Sequence, residues 1–549
     1  MRCRTAAALL CGLNLTFSAP ALAAGESELL ELRNTIMNLV DELVRQGVIS
    51  AEKAEEMKTQ AALKAREETA QAAIEAGRER KADAPAGSSV VRVPYVPEFV
   101  KDEIRAEVRK ELREEVTQDV VAAGKADRWG SRIALSGDLR LRGVGLYLDD
   151  LNNDQVPNIQ AINEAGGVAQ AGEDAFLNTT QDLARGQVRL RLGAEATLSP
   201  DVSVVARLAT GNDTDPTTRN QRLGTDNRPF DVFVDLAYLD WRPADPWASQ
   251  DFRVRGGRLP NPFRSTNLVF DEDLTFDGAT IAYEGRVFDG GLTVFANLGG
   301  FALLAEQANF FGGVDDKSWW GSQLGVDLQF GKSLGVTVAG AYYNFNGVVG
   351  VANASEDDSS QDWTAPSFVA KGNTVFDIRR DDLDRELFGL ATDFELVNGF
   401  LELDFARLDP IHVVARADYV QNIGFDSSEV SDRVGFDVPE KTTGWFAQLE
   451  VGHTRIRRWG DWQVFGGYKR IERDAVLDSF TDSDFYAGGT DAKGWLIGGS
   501  LGLTRDLRLR ARWFSADEID GVLVGDAPQS TVYAPLAIDV FQLDVNAQF

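Results

Sequence analysis

The chain has 549 residues, 44% of them hydrophobic and 26% charged, with a net charge of −29. It contains no run of about 18 apolar residues, which excludes a helical membrane span but not a β-barrel one. The acid excess argues against nucleic acid as a partner. Cys3 and Cys11 are the only cysteines and both fall in the leader, so the mature chain can hold neither a disulfide nor a thiolate site.

The first segment reads as a secretory signal. Arg2 and Arg4 supply the charged start, Ala6 to Phe17 the apolar stretch, and Ala21-Leu22-Ala23 a small-x-small cleavage site. Cleavage is expected after Ala23. Leu10 precedes Cys11 where a lipoprotein signal needs a small residue.

Residues 24–130 predict an α-helical coiled-coil arm. Leu29, Leu32, Ile36, Leu39 and Leu43 recur at the spacing of a coiled-coil seam. Gly47 interrupts it, and Ser50 can cap a second, solvated helix running to about Arg80. Val93-Pro94-Tyr95-Val96-Pro97 must be extended, because each proline biases the residue before it out of the helix. A third helix carries Val100, Ile104, Val108, Leu112, Val116 and Val120 on one slowly drifting face. Short helices of this kind need a partner. Two uses fit: self-association as a trimer, or a tether to another envelope component such as the cell wall.

From residue 131 to 549 the pattern changes to sixteen segments of alternating polar and apolar residues. They fall near 133–147, 187–198, 202–210, 231–241, 252–259, 277–286, 290–298, 320–330, 334–346, 386–406, 411–422, 442–455, 461–471, 492–503, 507–515 and 537–549. Connections alternate between short turns, such as Ser199-Pro200-Asp201 and Gly331-Lys332-Ser333, and long stretches rich in Asp, Asn, Gly and Thr. Loop length segregated by side, with an even strand count, predicts an all-β fold: a transmembrane antiparallel β-barrel of about 16 strands. Lipid demands closure, since an open edge would leave backbone polar groups unsatisfied in hydrocarbon. In the last segment Phe541, Leu543, Val545 and the terminal Phe549 alternate with Gln542, Asp544, Asn546 and Gln548. This resembles the closing strand that the barrel-insertion machinery of bacterial outer membranes reads.

The wet faces carry Arg140, Arg142, Arg189, Arg191, Arg253, Arg255, Arg508, Arg510 and Arg512 at alternate positions. They predict a basic wall inside the barrel. Two readings stand side by side: a ladder that steers anionic solutes, or arginines paired with lumenal acids such as Asp138 that hold the wall together.

The stretch Gly257-Arg258-Leu259-Pro260-Asn261-Pro262-Phe263-Arg264, continuing through Phe270-Asp271-Glu272-Asp273-Leu274 to Phe276-Asp277-Gly278, resembles the central motif of the putative porin family of Gram-negative outer membranes. Ala209-Thr210-Gly211-Asn212-Asp213, Leu236-Ala237-Tyr238-Leu239-Asp240-Trp241 and Val91-Arg92-Val93-Pro94-Tyr95-Val96-Pro97 are also similar to it. The resemblance covers nearly the whole mature chain. It implies a porin-type channel with a periplasmic arm and brings no particular solute. By analogy with general porins, the loop near 260–276 is expected to fold inward as a constriction. Arg264 would then face Asp271, Glu272 and Asp273, with Asp277 beside them.

Enzyme chemistry finds little support. His412 and His453 are the only histidines and neither has a serine motif beside it. Asp150-x-Asn152-x-Asp154 starts like a calcium loop but has Gln155 where glycine is needed and Ala161 where the bidentate glutamate belongs. No cofactor or dedicated metal site is expected. The expected partners are outer-membrane lipid and lipopolysaccharide, the insertion machinery, and two further copies in a homotrimer. The expected function is passive diffusion of small hydrophilic solutes, with a plugged adhesive or tethering barrel as the alternative.

Overall fold

A computed structural model describes residues 132–211, 215–243, 250–288, 291–305, 316–355, 358–379, 385–521 and 536–549. The signal peptide and the helical arm lie outside the described residues. The strands are β1 (Ile133–Leu148), β2 (Leu183–Ser199), β3 (Val202–Thr210), β4 (Gln221–Arg222), β5 (Val232–Trp241), β6 (Gln250–Pro260), β7 (Thr275–Phe288), β8 (Leu292–Leu304), β9 (Lys317–Phe330), β10 (Leu334–Asn346), β11 (Val375–Asp377), β12 (Phe388–Leu390), β13 (Phe394–Leu408), β14 (Ile411–Asn422), β15 (Thr443–His453), β16 (Trp462–Ile471), β17 (Ala492–Gly502), β18 (Leu507–Glu518) and β19 (Ala537–Gln548).

Sixteen of these form the wall, each antiparallel to its neighbours, and β19 pairs with β1 from Asp138↔Gln548 to Leu148↔Ile538. That pairing closes the barrel and leaves no edge. The two-residue β4 adds onto β2, and β11 pairs with β12 in an external loop. All sixteen expected segments are wall strands. The segment expected near 386–406 starts later, at Phe394, because its first residues form β12. Long connections all emerge at one rim, with turns as short as Pro200-Asp201 at the other.

Period-two alternation sorts the side chains. Leu135, Leu141, Leu192, Leu324, Trp495, Ile497 and Leu543 stand exposed on the outer face. Their neighbours in sequence, such as Arg140, Arg142 and Asp544, are buried on the inner one. In water that outer face would be a large unpaid apolar surface; in lipid it is the solvent-matched side. Aromatic pairs gather toward both rims of the outer face. Tyr147 stacks on Trp513 at 5.8 Å, Trp445 on Tyr468 at 5.3 Å, and Trp320 meets Tyr342 at 5.2 Å. At the short-turn end Trp241 meets Phe252 at 6.3 Å. Such girdles suit the interfacial zones of a bilayer.

The closing seam also explains the last residue. Gly137 donates to the carbonyl of Phe549 at 2.8 Å and accepts from its amide at 3.0 Å. A Cβ on Gly137 would sit 2.5 Å from the Phe549 ring, so glycine is what lets the terminal aromatic lie on the first strand.

Candidate functional site

Register stacks the lumenal charges into rows. Arg508 lies opposite Asn546, which lies opposite Arg140, which lies opposite Arg189, across β18, β19, β1 and β2. One step outward the row runs Arg510, Asp544, Arg142 and Gln187. One step inward Asp138 faces Arg191. Seven of the nine arginines expected in the ladder therefore stand in these rows or beside them on β1, β2 and β18, while Arg253 and Arg255 stand apart on β6.

Carboxylates occupy part of these rows. Arg142 donates through Nε and Nη2 to both oxygens of Asp544, at 2.7 and 3.1 Å. Arg189 Nη1 donates to both oxygens of Asp273 at 2.8 and 3.0 Å, and its Nη2 to Asp138 at 3.1 Å. Arg191 Nε meets Asp138 at 2.7 Å, and Arg140 Nη2 meets Glu272 at 3.4 Å. These forked contacts are the strong kind of charge-assisted bond. Arg253 and Arg255, farther around the wall, share Asp240 at 3.5 and 3.4 Å. Arg508 and Arg510 form no ion pair within 4 Å among the described residues, and the Arg510 guanidinium lies 5.2 Å over the Phe465 ring.

Asp273 and Glu272 reach this wall because residues 261–274 cross inside the barrel. The apolar side chains Phe263, Leu268, Val269, Phe270 and Leu274 are buried there. Phe263 and Phe270 each lie 5.1 Å from the Tyr343 ring, and Phe270 lies 5.6 Å from Trp319. Gly321 leaves the room, since a Cβ there would come within 2.7 Å of Phe263. Polar anchors complete the hold. The Thr266 amide and hydroxyl both donate to Asp418, at 2.8 and 2.7 Å, and Lys469 donates to the Asn267 carbonyl at 2.8 Å.

Two expectations fail in detail. Arg264 does not face Asp271, Glu272 or Asp273. It pairs with Asp327 at 2.7 Å and Glu284 at 3.2 Å and lies 3.8 Å over Phe295. Those partners stand on β7 to β9, whereas Glu272 and Asp273 meet β1 and β2; the hydrophobic stretch between them carries the chain from one wall to another. Asp277 does not join the constriction either. It pairs with Arg258 at 2.9 Å on the outer face, sharing its parity with the exposed Ile281 and Tyr283.

A second inward loop was not expected at all. Residues 472–491 fold onto the first: Asp271 donates its amide to the Phe480 carbonyl at 2.8 Å, and the Ser483 amide and hydroxyl donate to Asp271 at 2.9 and 3.0 Å. Asp482 meets Lys469 at 3.0 Å. Asp484 accepts from Arg142 Nη1 at 2.8 Å, Arg512 Nη2 at 2.7 Å and the Gln542 amide at 2.7 Å. Nothing in an Asp-rich external loop marks Asp484 in the sequence. Asp544 was legible, since it shares the polar face of the last strand.

Charge states follow from these neighbours. Burial pushes the Glu272 carboxyl up, but the guanidiniums of Arg140, Arg512 and Arg510 outweigh it and bring the group down to about 2. Asp484 is likewise opposed by burial, yet Arg142, Arg512 and Gln542 hold it well below the usual carboxylate range. Asp271 goes the other way: burial, with Asp482 and Asp273 nearby, raises it well above that range. Where the two loops meet β1, β2, β18 and β19, seven guanidiniums (Arg140, Arg142, Arg189, Arg191, Arg508, Arg510, Arg512) lie in one band with five carboxylates (Asp138, Glu272, Asp273, Asp484, Asp544).

The outer end of the second loop holds a buried polar cluster. Asn373 donates to the carbonyls of Arg473 and Val476, Thr374 bonds Asp474, and Lys371 donates to the carbonyls of Tyr486 and Gly488. Burial leads in pushing Asp474 up to about 6 and Asp478 and Asp491 to about 7, and in bringing Lys371 down to about 7. The three carboxyls bind protons more tightly folded than unfolded, so their share of stability is lost as pH rises through about 6 to 7. Lys371 restores stability only above about pH 7. Hydrogen-exchange protection of residues 472–491, corrected for intrinsic rates, is expected to be greater at about pH 5 than at about pH 7.5. Equal protection would remove this cluster as a stability determinant.

A putative porin family model matches residues 33–549. The chain belongs to the putative porin family. That family implies a general outer-membrane channel, and the closed barrel with its apolar belt fits it. No curated protein matches this porin. Among solved structures it is similar to Salmonella typhi OmpF in complex with daunomycin, at 10% identity over 76% of this chain and 97% of that one (TM-score 0.38). The outer-membrane channel DcaP of Acinetobacter baumannii matches at 11% identity over 76% and 98% (TM-score 0.37). Pseudomonas putida OprB at high pH matches at 10% identity over 76% and 95% (TM-score 0.40).

Proposed function

We propose that this porin passes small hydrophilic solutes by diffusion through a water-filled lumen and favours anions. The observation that carries the reading is the charge imbalance where residues 261–274 meet the arginine wall, seven guanidiniums against five carboxylates. The two arginines in excess are Arg508 and Arg510, which form no ion pair within 4 Å among the described residues. In a confined lumen an uncompensated charge draws counter-ions into the narrowest zone and sets selectivity. The paired arginines Arg142, Arg189 and Arg191 serve mainly to brace the inserted loops, so both sequence-level readings of the ladder apply, to different members. Arg253 and Arg255 line a separate stretch of lumen. Arg264 fixes one end of the constriction loop, and Asp271, Glu272 and Asp273 fix the other.

The outward residues Phe541, Leu543 and Val545, with the terminal Phe549, are proposed as the insertion signal. The porin is proposed to assemble as a homotrimer in the outer membrane, with residues 24–130 in the periplasm for self-association or cell-wall attachment.

Arg508→Ala combined with Arg510→Ala tests the selectivity. Planar-bilayer currents under a KCl gradient are expected to show an anion-directed reversal potential in the wild type and one close to zero in the double variant. An unchanged reversal potential would assign selectivity elsewhere. A second reading, a plugged scaffold, draws on the two loops packed within the barrel. It predicts a folded protein that carries no current.

A further inference from the structure

We propose that Asp484 is a specificity-determining residue: an external loop delivers its carboxylate into the lumen, where it occupies the guanidiniums that a small carboxylate or phosphate solute would otherwise engage. The inference rests on the porin reading above and names a determinant beyond the arginine wall.

Asp484 lies in the 472–491 connection between β16 and β17, yet its carboxylate contacts three other strands. One oxygen accepts from Arg142 on β1 and Gln542 on β19; the other accepts from Arg512 on β18. Among the described residues Arg512 has one other carboxylate within 4 Å, Asp544 at the longer distance of 3.7 Å. Asp484 is thus the principal counter-charge of Arg512 and the second one of Arg142. Its arrangement, with two guanidiniums and an amide converging on one carboxylate, is how an oxyanion is recognised.

The loop that carries it is anchored twice just before Asp484. Ser483, the preceding residue, donates twice to Asp271 of the constriction loop, and Asp482 pairs with Lys469 on β16. The carboxylate is therefore held at the wall without closing a covalent or strand connection to it. Neutralising Asp484 moves the local balance from seven against five to seven against four. Asp544 remains on Arg142 through its fork, so the charge released appears mainly at Arg512.

The test uses the full-length protein folded in detergent and studied in planar bilayers under a KCl gradient. Asp484→Asn keeps the size of the side chain and removes its charge. It is expected to raise the anion-to-cation permeability ratio by about twofold or more, with discrete current steps retained. Asp484→Glu, which keeps the charge, is expected to stay near the wild-type ratio. Asp520→Asn removes an acid that pairs with Lys441 at 3.1 Å in the external loops and is expected to change nothing. A wild-type ratio in Asp484→Asn overturns the proposal while the porin reading stands. Equal shifts in Asp484→Asn and Asp484→Glu also overturn it, because loop displacement rather than charge would then be the cause. A wild-type protein that is folded and passes no current overturns the porin reading first, and this inference with it.

Discussion

Replacing Arg142 with alanine is expected to destabilise the barrel by about 3–5 kcal/mol, the usual cost of removing one member of a buried ion pair. Arg142 is only 3% exposed and satisfies two carboxylates at once, Asp544 through a fork and Asp484 through Nη1. Without it Asp484 keeps only Arg512, and Asp544, 1% exposed in the seam between β1 and β19, loses its fork and is left with Arg512 at 3.7 Å. Arg142→Lys is expected to recover only part of the loss, because an ammonium cannot present the two parallel donors that a guanidinium does. The temperature at which the compact electrophoretic form converts to the unfolded one measures the effect. A midpoint equal to the wild type's in Arg142→Ala would mean that water replaces the guanidinium and that the pair braces nothing.

The second large effect is expected at Phe270. Its ring is 2% exposed and touches Phe263, Phe276, Trp319, Tyr343 and Phe480, so it joins both inserted loops to the wall. Phe270→Ala is expected to cost about 3–5 kcal/mol of that local packing. The strand ladder does not depend on this ring, so the barrel is expected to close with unchanged strand content. What loosens is the hold on residues 261–274. Larger and less selective single-channel currents should result, with more frequent fluctuations. Wild-type conductance in a variant with a lowered unfolding midpoint would separate loop packing from the permeation path and remove the loop as the constriction.

The wall was legible because each strand answers to one local rule. Leu139, Leu141, Arg140 and Arg142 alternate whatever lies elsewhere in the chain, so face and parity can be read from the sequence itself. Strand ends were less so: 386–393 looks like the start of a wall strand, but its apolar residues Phe388 and Leu390 belong to an external hairpin. The lumenal site was half legible. The arginines and Asp544 follow from alternation, whereas the inward course of 261–274 rested on analogy with general porins and on the loop's position. The direction of Arg264 was not, because it depends on which wall the chain meets after crossing. Asp277 was assigned by proximity to the motif, although its parity with Ile281 and Tyr283 already placed it outside. Asp484 had no local signal. Its role comes from contacts across 342, 28 and 58 positions of sequence, with Arg142, Arg512 and Gln542.

The central claim is an open lumen past two inserted loops. Single-channel recording of the refolded, full-length protein under a KCl gradient tests it most directly. Discrete, long-lived steps with a reversal potential directed toward chloride are the expected result. A barrel with full strand content and heat-modifiable migration that gives no steps would contradict it and establish the loops as a plug.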